Sequence, residues 1–192
     1  MFIRSERLFL RPGWPEDWEE LLGKICDERI VRNLARAPWP YGPDDARRFA
    51  SMAQDRRTPN FFVTAPSAEG TRLIGSCGLG LNEGQVELGY WIARDEWGKG
   101  FATEAARAVL TLARTLGHRR IVAGHFEDNP ASGRVLAKIG FRPTGEVRPR
   151  YSLARDAIAL SVVHEIDLAS AGDCDNGDGD GAGQGAGRMR AA

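Results

Sequence analysis

The stretch Trp97-Gly98-Lys99-Gly100-Phe101-Ala102-Thr103-Glu104-Ala105 puts a glycine-rich turn directly in front of a helix-forming run. It follows the strand-like Val86-Glu87-Leu88-Gly89-Tyr90-Trp91-Ile92. A strand, a glycine turn and a helix N-terminus bring free backbone N–H groups and the positive end of a helix dipole to one point, and the group that suits such a point is a phosphate. A Walker A loop requires Ser or Thr directly after its Lys to hold magnesium, and Gly100 takes that place. A dinucleotide fingerprint wants a third glycine where Thr103 stands, and it normally closes the first βαβ unit of a domain rather than sitting mid-chain. What remains is Gly-x-Gly-x-Ala opening a helix.

A second block, Asn129-Pro130-Ala131-Ser132-Gly133-Arg134-Val135-Leu136-Ala137-Lys138-Ile139-Gly140-Phe141, lies downstream. Together the two blocks resemble the GNAT superfamily of acetyl-CoA-dependent N-acetyltransferases, and more narrowly its ribosomal-protein N-terminal acetyltransferase branch. The opening Ile3-Arg4-Ser5-Glu6-Arg7-Leu8-Phe9-Leu10-Arg11 is similar to that branch's first strand, so the resemblance runs over about residues 2 to 168. It implies acetyl-CoA as cosubstrate and a cofactor site made of Trp91, Ile92, Ala93, Gly98, Lys99, Gly100, Phe101, Ala102, Thr103, Asn129 and Ser132. Where Trp97 stands the wider superfamily usually has Gln or Arg, which leaves the phosphate contacts to backbone amides. Trp91, Trp97 and Phe101 flank the turn, and aromatic rings in such places fill a core more often than they stack on a ligand.

Direct N-acetylation needs a neutral amine, a polarised thioester carbonyl and a way for the thiolate to leave. An α-amino group of pKa near 7.8 is roughly 10% neutral at pH 7, against about 0.04% for a lysine of pKa near 10.4, so a weak water-relayed base can serve the former. Glu87 is the first candidate for that relay, with Glu127 second and His125 third. Each also has a plain reading: Glu87 can pair with an arginine, and His125 can fill a strand surface. A backbone N–H near Ile92 or Ala93 is expected to polarise the carbonyl. Asn129 sits where a helix cap is expected, and the resemblance adds a contact from Asn129 and Ser132 to the pantetheine arm. Many superfamily members carry a Tyr general acid in the second block, but its place here is Leu136. The resemblance assigns Ser132 a hydrogen bond to the leaving sulfur. An acyl-CoA sensor without turnover is the rival reading that the missing Tyr supports.

The elements that must hold these residues are legible in outline. Phe2 to Leu10 reads as a strand stopped by Pro12, and Trp14 to Cys26 as a helix with Trp18, Leu21, Leu22 and Ile25 on one face. A second helix is predicted from Pro43, with Phe49 and Met52 inward. Phe61 to Thr64, Arg72 to Leu81 and Gln85 to Ile92 form a meander with a turn at Asn82-Glu83-Gly84. The long helix spans Phe101 to Leu116 and ends at Gly117. A strand over Arg120 to Phe126, a helix over Ala131 to Ile139 and strands near Val147 and over Ala157 to Ile166 complete the domain. The strand-helix-strand order makes a βαβ crossover, so Gln85–Ile92 and Arg120–Phe126 are expected to be parallel neighbours. The expected fold is α/β (α+β): one domain over 1–168, a mixed, mostly antiparallel sheet of six to seven strands with a splayed parallel pair, and about four helices on both faces. The resemblance places a bulge near Gly89 to Trp91 as the cause of the splay.

With 26 basic and 26 acidic residues in 192, no global field favours nucleic acid or anionic membrane. No apolar run approaches a membrane span, so a cytoplasmic protein is expected. Cys26, Cys77 and Cys174 match no metal spacing or disulfide framework, and no metal is expected. Residues 169–192 are rich in Gly, Ala and Asp and read as a disordered tail, since they cannot bury enough apolar surface to offset the entropy of ordering. The expected partners are acetyl-CoA and an amine, in a monomer or homodimer.

Overall fold

The computed structural model describes residues 1–68 and 70–169. All of the expected tail except Ala169 lies outside the described residues. In chain order the elements are β1 (Ile3–Arg4), β2 (Phe9–Arg11), α1 (Trp18–Ile25), α2 (Glu28–Val31), α3 (Pro43–Ala50), β3 (Asn60–Ser67), β4 (Gly70–Asn82), β5 (Gln85–Ile92), α4 (Phe101–Thr115), β6 (Arg120–Phe126), α5 (Pro130–Lys138), β7 (Arg142–Ser152) and β8 (Ala157–Asp167). The strands make one sheet in the order β1-β2-β3-β4-β5-β6-β8-β7. Every neighbouring pair is antiparallel except β5 and β6.

The sheet has eight strands rather than six or seven, and five α-helices rather than four. The first strand is two short ones, because Ser5 to Leu8 turns the chain so that Ile3 and Arg4 fold back on Leu10 and Phe9. α2 is a single turn of 4 residues, too short to leave a periodic signature. β7 was visible only near Val147 because it is an edge strand whose residues are nearly all at least partly exposed. Its Pro143 and Pro149 keep such an edge from pairing onward.

Alternation along the strands sorts the core into two layers. Phe61, Val63, Ile74, Leu79, Leu88, Ile121 and Ala123 pack against the Ala105, Ala106, Val109, Leu110 and Ala113 face of α4 and against Leu136 of α5. Phe62, Leu73 and Trp91 face the other way, onto Leu21, Ile25, Ile30, Val31, Ala46 and Ala50 of α1 to α3. α3 therefore turns small residues inward. Phe49 is only partly buried, with its ring centroid 5.7 Å from that of Phe62, and Met52 lies past the helix end, exposed rather than inward.

The splay of β5 and β6 is present, but its cause differs from the expected bulge. β5 pairs with β4 in unbroken register from Gly75↔Ile92 to Asn82↔Gln85, so nothing bulges at Gly89 to Trp91. β6 instead pairs along its whole length with β8, from Arg120↔Asp167 to Phe126↔Ser161, and meets β5 only at Glu87↔Val122. The strand follows its antiparallel partner and leaves β5 behind.

A register shift does occur between β3 and β4, at Val63/Thr64. A shift of this kind breaks the ladder locally and leaves an amide to be satisfied elsewhere. Beside it the Leu73 N–H donates to Glu20 Oε1 at 2.7 Å, so α1 is tied to the sheet by a side chain that supplies the missing acceptor. Glu20→Leu is expected to lower unfolding free energy by about 1–3 kcal/mol, the cost of a buried amide left without an acceptor. Chemical denaturation measures this, and an unchanged midpoint would show that the bond contributes nothing.

Candidate active site

β5 supplies the floor of the site. The Ala93 N–H donates to the Ile74 carbonyl at 2.8 Å, which fixes the antiparallel alternation: odd-numbered residues of β5 exchange bonds with β4, and Leu88, Tyr90 and Ile92 aim their backbone groups toward β6. Beyond Glu87 β6 has diverged, so the Tyr90 and Ile92 amides point into the opening between the strands. Ala93 does not fit the role of carbonyl polariser, because its amide is spent on Ile74.

The turn after β5 is built as an anion cradle. Gly98 and Gly100 hold φ of 77° and 82°, the left-handed region that side chains resist, and Gly100 is the N-cap of α4 without any side-chain cap. The first amides of α4, from Phe101 through Thr103, therefore have no intrahelical acceptor. The Trp97 indole N–H donates to the Ile92 carbonyl at 2.7 Å and ties the turn to the end of β5. Lys99 Nζ folds back to Glu96 at 2.9 Å, and Glu96, only 3% exposed, also pairs with Arg72 at 2.8 Å. The Lys99 ammonium is thus engaged by Glu96.

Arg7, which the sequence did not single out, braces the same turn. Its guanidinium donates to the Lys99 carbonyl at 3.0 Å and to Glu104 at 2.7 Å, and lies 4.7 Å over the Phe101 ring. Burial pushes the Glu104 carboxyl up, but the Arg7 amide, the Ser5 hydroxyl and the Arg7 guanidinium together hold it below the usual carboxylate range.

The opposite wall is the N-terminus of α5. Asn129 is its N-cap, with Oδ1 accepting from the Ser132 N–H at 3.3 Å, and Asp128 just before it is held by both Arg32 and Arg155 at 2.9 Å. The Arg155 guanidinium beside Asp128 keeps that carboxyl below its ordinary range. Ser132 Oγ lies 2.7 Å from Tyr90 Oη, so a side chain of β5 reaches across the opening to α5. Leu136, where a general-acid Tyr would stand, is buried in the core at 1% exposure.

The three base candidates are not in one place. Glu87 projects to the α1–α3 side, where both its oxygens accept from Arg150 at 2.6 and 3.0 Å. Arg150 reaches it over Gly124, where a Cβ would stand 3.4 Å from the guanidinium and 2.9 Å from Ser161 Oγ. His125 lies on the other face, its ring packed on Gly133 and 5.2 Å from the His164 ring, with Nδ1 2.9 Å from the Phe126 carbonyl. Glu127 is exposed at the end of β6. Of the three, only Glu87 shares a sheet face with Trp91, the face that α1, α2 and α3 cover.

An open parallel edge beside a phosphate cradle fits a ligand with an amide-bearing arm and a pyrophosphate, which is the chemistry of coenzyme A. The fold and this site define an acyl-CoA-dependent acyltransferase of the GNAT type. The chain belongs to the GNAT acetyltransferases: the acetyltransferase (GNAT) domain model matches residues 7–142. Among its relatives, the uncharacterized N-acetyltransferase YoaA of Bacillus subtilis (strain 168) is 28% identical over 160 residues, covering 76% of this chain and 85% of that protein. The GNAT-family acetyltransferase structure from Bacillus anthracis superposes with a TM-score of 0.74 at 25% identity, over 87% of this chain and 98% of that one. The ribosomal L7/L12 α-N-protein acetyltransferase RimL, solved with coenzyme A, shares the fold at a TM-score of 0.72 and 16% identity, over 87% and 98%. Among the described residues no His, Cys, Asp and Glu cluster could hold a metal, and no helix is long and apolar enough to cross a membrane.

Gly100→Val is expected to raise the dissociation constant for coenzyme A more than tenfold, since a β-branched residue resists the left-handed cap and disturbs the cradle. Calorimetric titration of the folded variant is the check, and wild-type affinity would contradict a cradle made of backbone amides.

Proposed function

We propose that the protein transfers acetyl from acetyl-CoA to a primary amine by direct attack in a ternary complex, in the cytoplasm, with a protein N-terminus as the favoured acceptor. The observation that carries this reading is the single β5–β6 bridge at Glu87↔Val122 with the cradle at Gly98 to Thr103 beside it. The pantetheine arm lies along Tyr90 and Ile92 as a pseudo-strand, its pyrophosphate meets the amides of Phe101, Ala102 and Thr103, and the Ile92 N–H polarises the thioester carbonyl. Asn129 steadies the arm through the cap of α5. Trp91 contributes through the strand it belongs to, with its ring among the α1–α3 core residues.

Glu87 takes the surplus proton of the attacking amine through water. Both of its oxygens are engaged by Arg150, so the base acts at one remove from the acceptor. A relay of that kind suits an α-amino group, already roughly 10% neutral at pH 7, better than a lysine or polyamine nitrogen. A small-molecule amine remains the second acceptor class.

Acetyl-CoA is expected to raise the melting temperature and NAD is not. Incubation with acetyl-CoA and a panel of N-terminal peptides, polyamines and amino sugars, read by mass spectrometry, should give an acetylated peptide α-amine. Thermal stabilisation without product from any amine would favour a CoA-binding sensor, and stabilisation by NAD alone would end the acetyltransferase reading. Glu87→Gln should lower kcat on the order of tenfold, at or below the low end of general-base effects, with acetyl-CoA affinity unchanged. Undiminished turnover would remove Glu87 from the mechanism.

A further inference from the structure

We infer that Tyr90 is a positioning residue for the leaving group: it turns the Ser132 hydroxyl so that its proton faces the departing thiolate. The inference rests on the acetyltransferase reading and adds to it a residue from β5. Tyr90 Oη is within hydrogen-bond distance of two acceptors on Ser132, the hydroxyl at 2.7 Å and the backbone carbonyl at 3.2 Å. Asn129 holds the Ser132 amide from the other side, so the serine backbone has little freedom to swing. The bond crosses the opening where β5 and β6 have already parted, and a pantetheine arm threaded along β5 must pass beside it.

The two hydroxyls have two self-consistent proton arrangements. In one, Ser132 donates to Tyr90 Oη while Tyr90 donates to the Ser132 carbonyl. In the other, Tyr90 donates to Ser132 Oγ, and the Ser132 proton is free to point into the opening. Passing between them takes two O–H rotations and no heavy-atom movement. Burial pushes the Tyr90 hydroxyl up to about 12, so at neutral pH it keeps the proton that the second arrangement needs.

During transfer the amine lone pair forms the new C–N bond and the C–S electron pair passes to sulfur. The surplus ammonium proton leaves through water on the Glu87 side. The thiolate is met by the Ser132 O–H as a hydrogen-bond donor and takes its own proton from solvent. Full proton transfer from Tyr90 to sulfur would run uphill, because a thiol is acidic near 8.5, far below the tyrosine. The pair replaces the missing second-block tyrosine by stabilising the leaving group rather than by acting as an acid.

The test titrates the thiol of coenzyme A bound to the full-length protein, followed by ultraviolet thiolate absorbance, for wild type, Tyr90→Phe, Ser132→Ala and the double variant. Bound coenzyme A should ionise at lower pH than free coenzyme A in wild type, close to the free value in Ser132→Ala, and between the two in Tyr90→Phe. In turnover, Tyr90→Phe should lose about tenfold in kcat and Ser132→Ala about a hundredfold, with KM for acetyl-CoA little changed. The double variant should be no slower than Ser132→Ala, because Tyr90 acts through it. Additive losses, or a Tyr90→Phe complex that titrates and turns over like wild type, would overturn the inference while leaving the acetyltransferase reading intact. Failure of the wild-type protein to bind coenzyme A would overturn both.

Discussion

Backbone N–H and C=O groups that lose their sheet partner must find another, and the structure depends on where this happens. β6 follows β8 over its full length while touching β5 at Glu87↔Val122 alone. The amides of Tyr90 and Ile92 are thereby offered to a ligand by the same arrangement that closes the rest of the sheet. No local distortion of β5 is required, since its register with β4 is continuous.

Around this edge carboxylates hold the pieces in place, Glu96 buried, Glu87 and Glu104 partly buried and Asp128 exposed. Glu96 ties Arg72 of β4 to Lys99 in the turn, Glu104 fixes the β1–β2 loop to the first turn of α4, Asp128 joins Arg32 after α2 to Arg155 after β7, and Glu87 joins β5 to Arg150 of β7. Each pair spans elements that the sheet alone would leave free to shift. For the buried Glu96, removing a partner costs more than the pair contributes, because its charge is left without compensation. The sheet is therefore held from both faces, with α4 and α5 on one and α1 to α3 on the other.

The parts of this legible in the sequence are those encoded locally. The Gly98-Lys99-Gly100 turn, the start of α4 at Phe101 and the bounds of β5 and β6 follow from glycine placement and hydrophobic periodicity. What the sequence did not reveal are contacts between distant residues: Arg7 with Glu104 across 97 positions, Glu87 with Arg150 across 63, and Tyr90 with Ser132 across 42. A tyrosine in β5 and a serine in α5 carry no mutual signal until the fold brings them to 2.7 Å. Glu87 as an arginine partner was one of two readings open at the sequence level, and geometry supplied Arg150 because Gly124 leaves the path clear. The short elements β1, β2 and α2 were blurred for a simpler reason: none is long enough to establish a period.

In the proposed complex the pantetheine arm completes the open edge of β5. Hydrogen–deuterium exchange with and without acetyl-CoA measures this at the amides concerned. Protection should appear at Tyr90 and Ile92 and at Phe101, Ala102 and Thr103, with little change along β7 and β8. Protection confined to other segments, with the β5 edge exchanging as freely as in the unliganded protein, would contradict it.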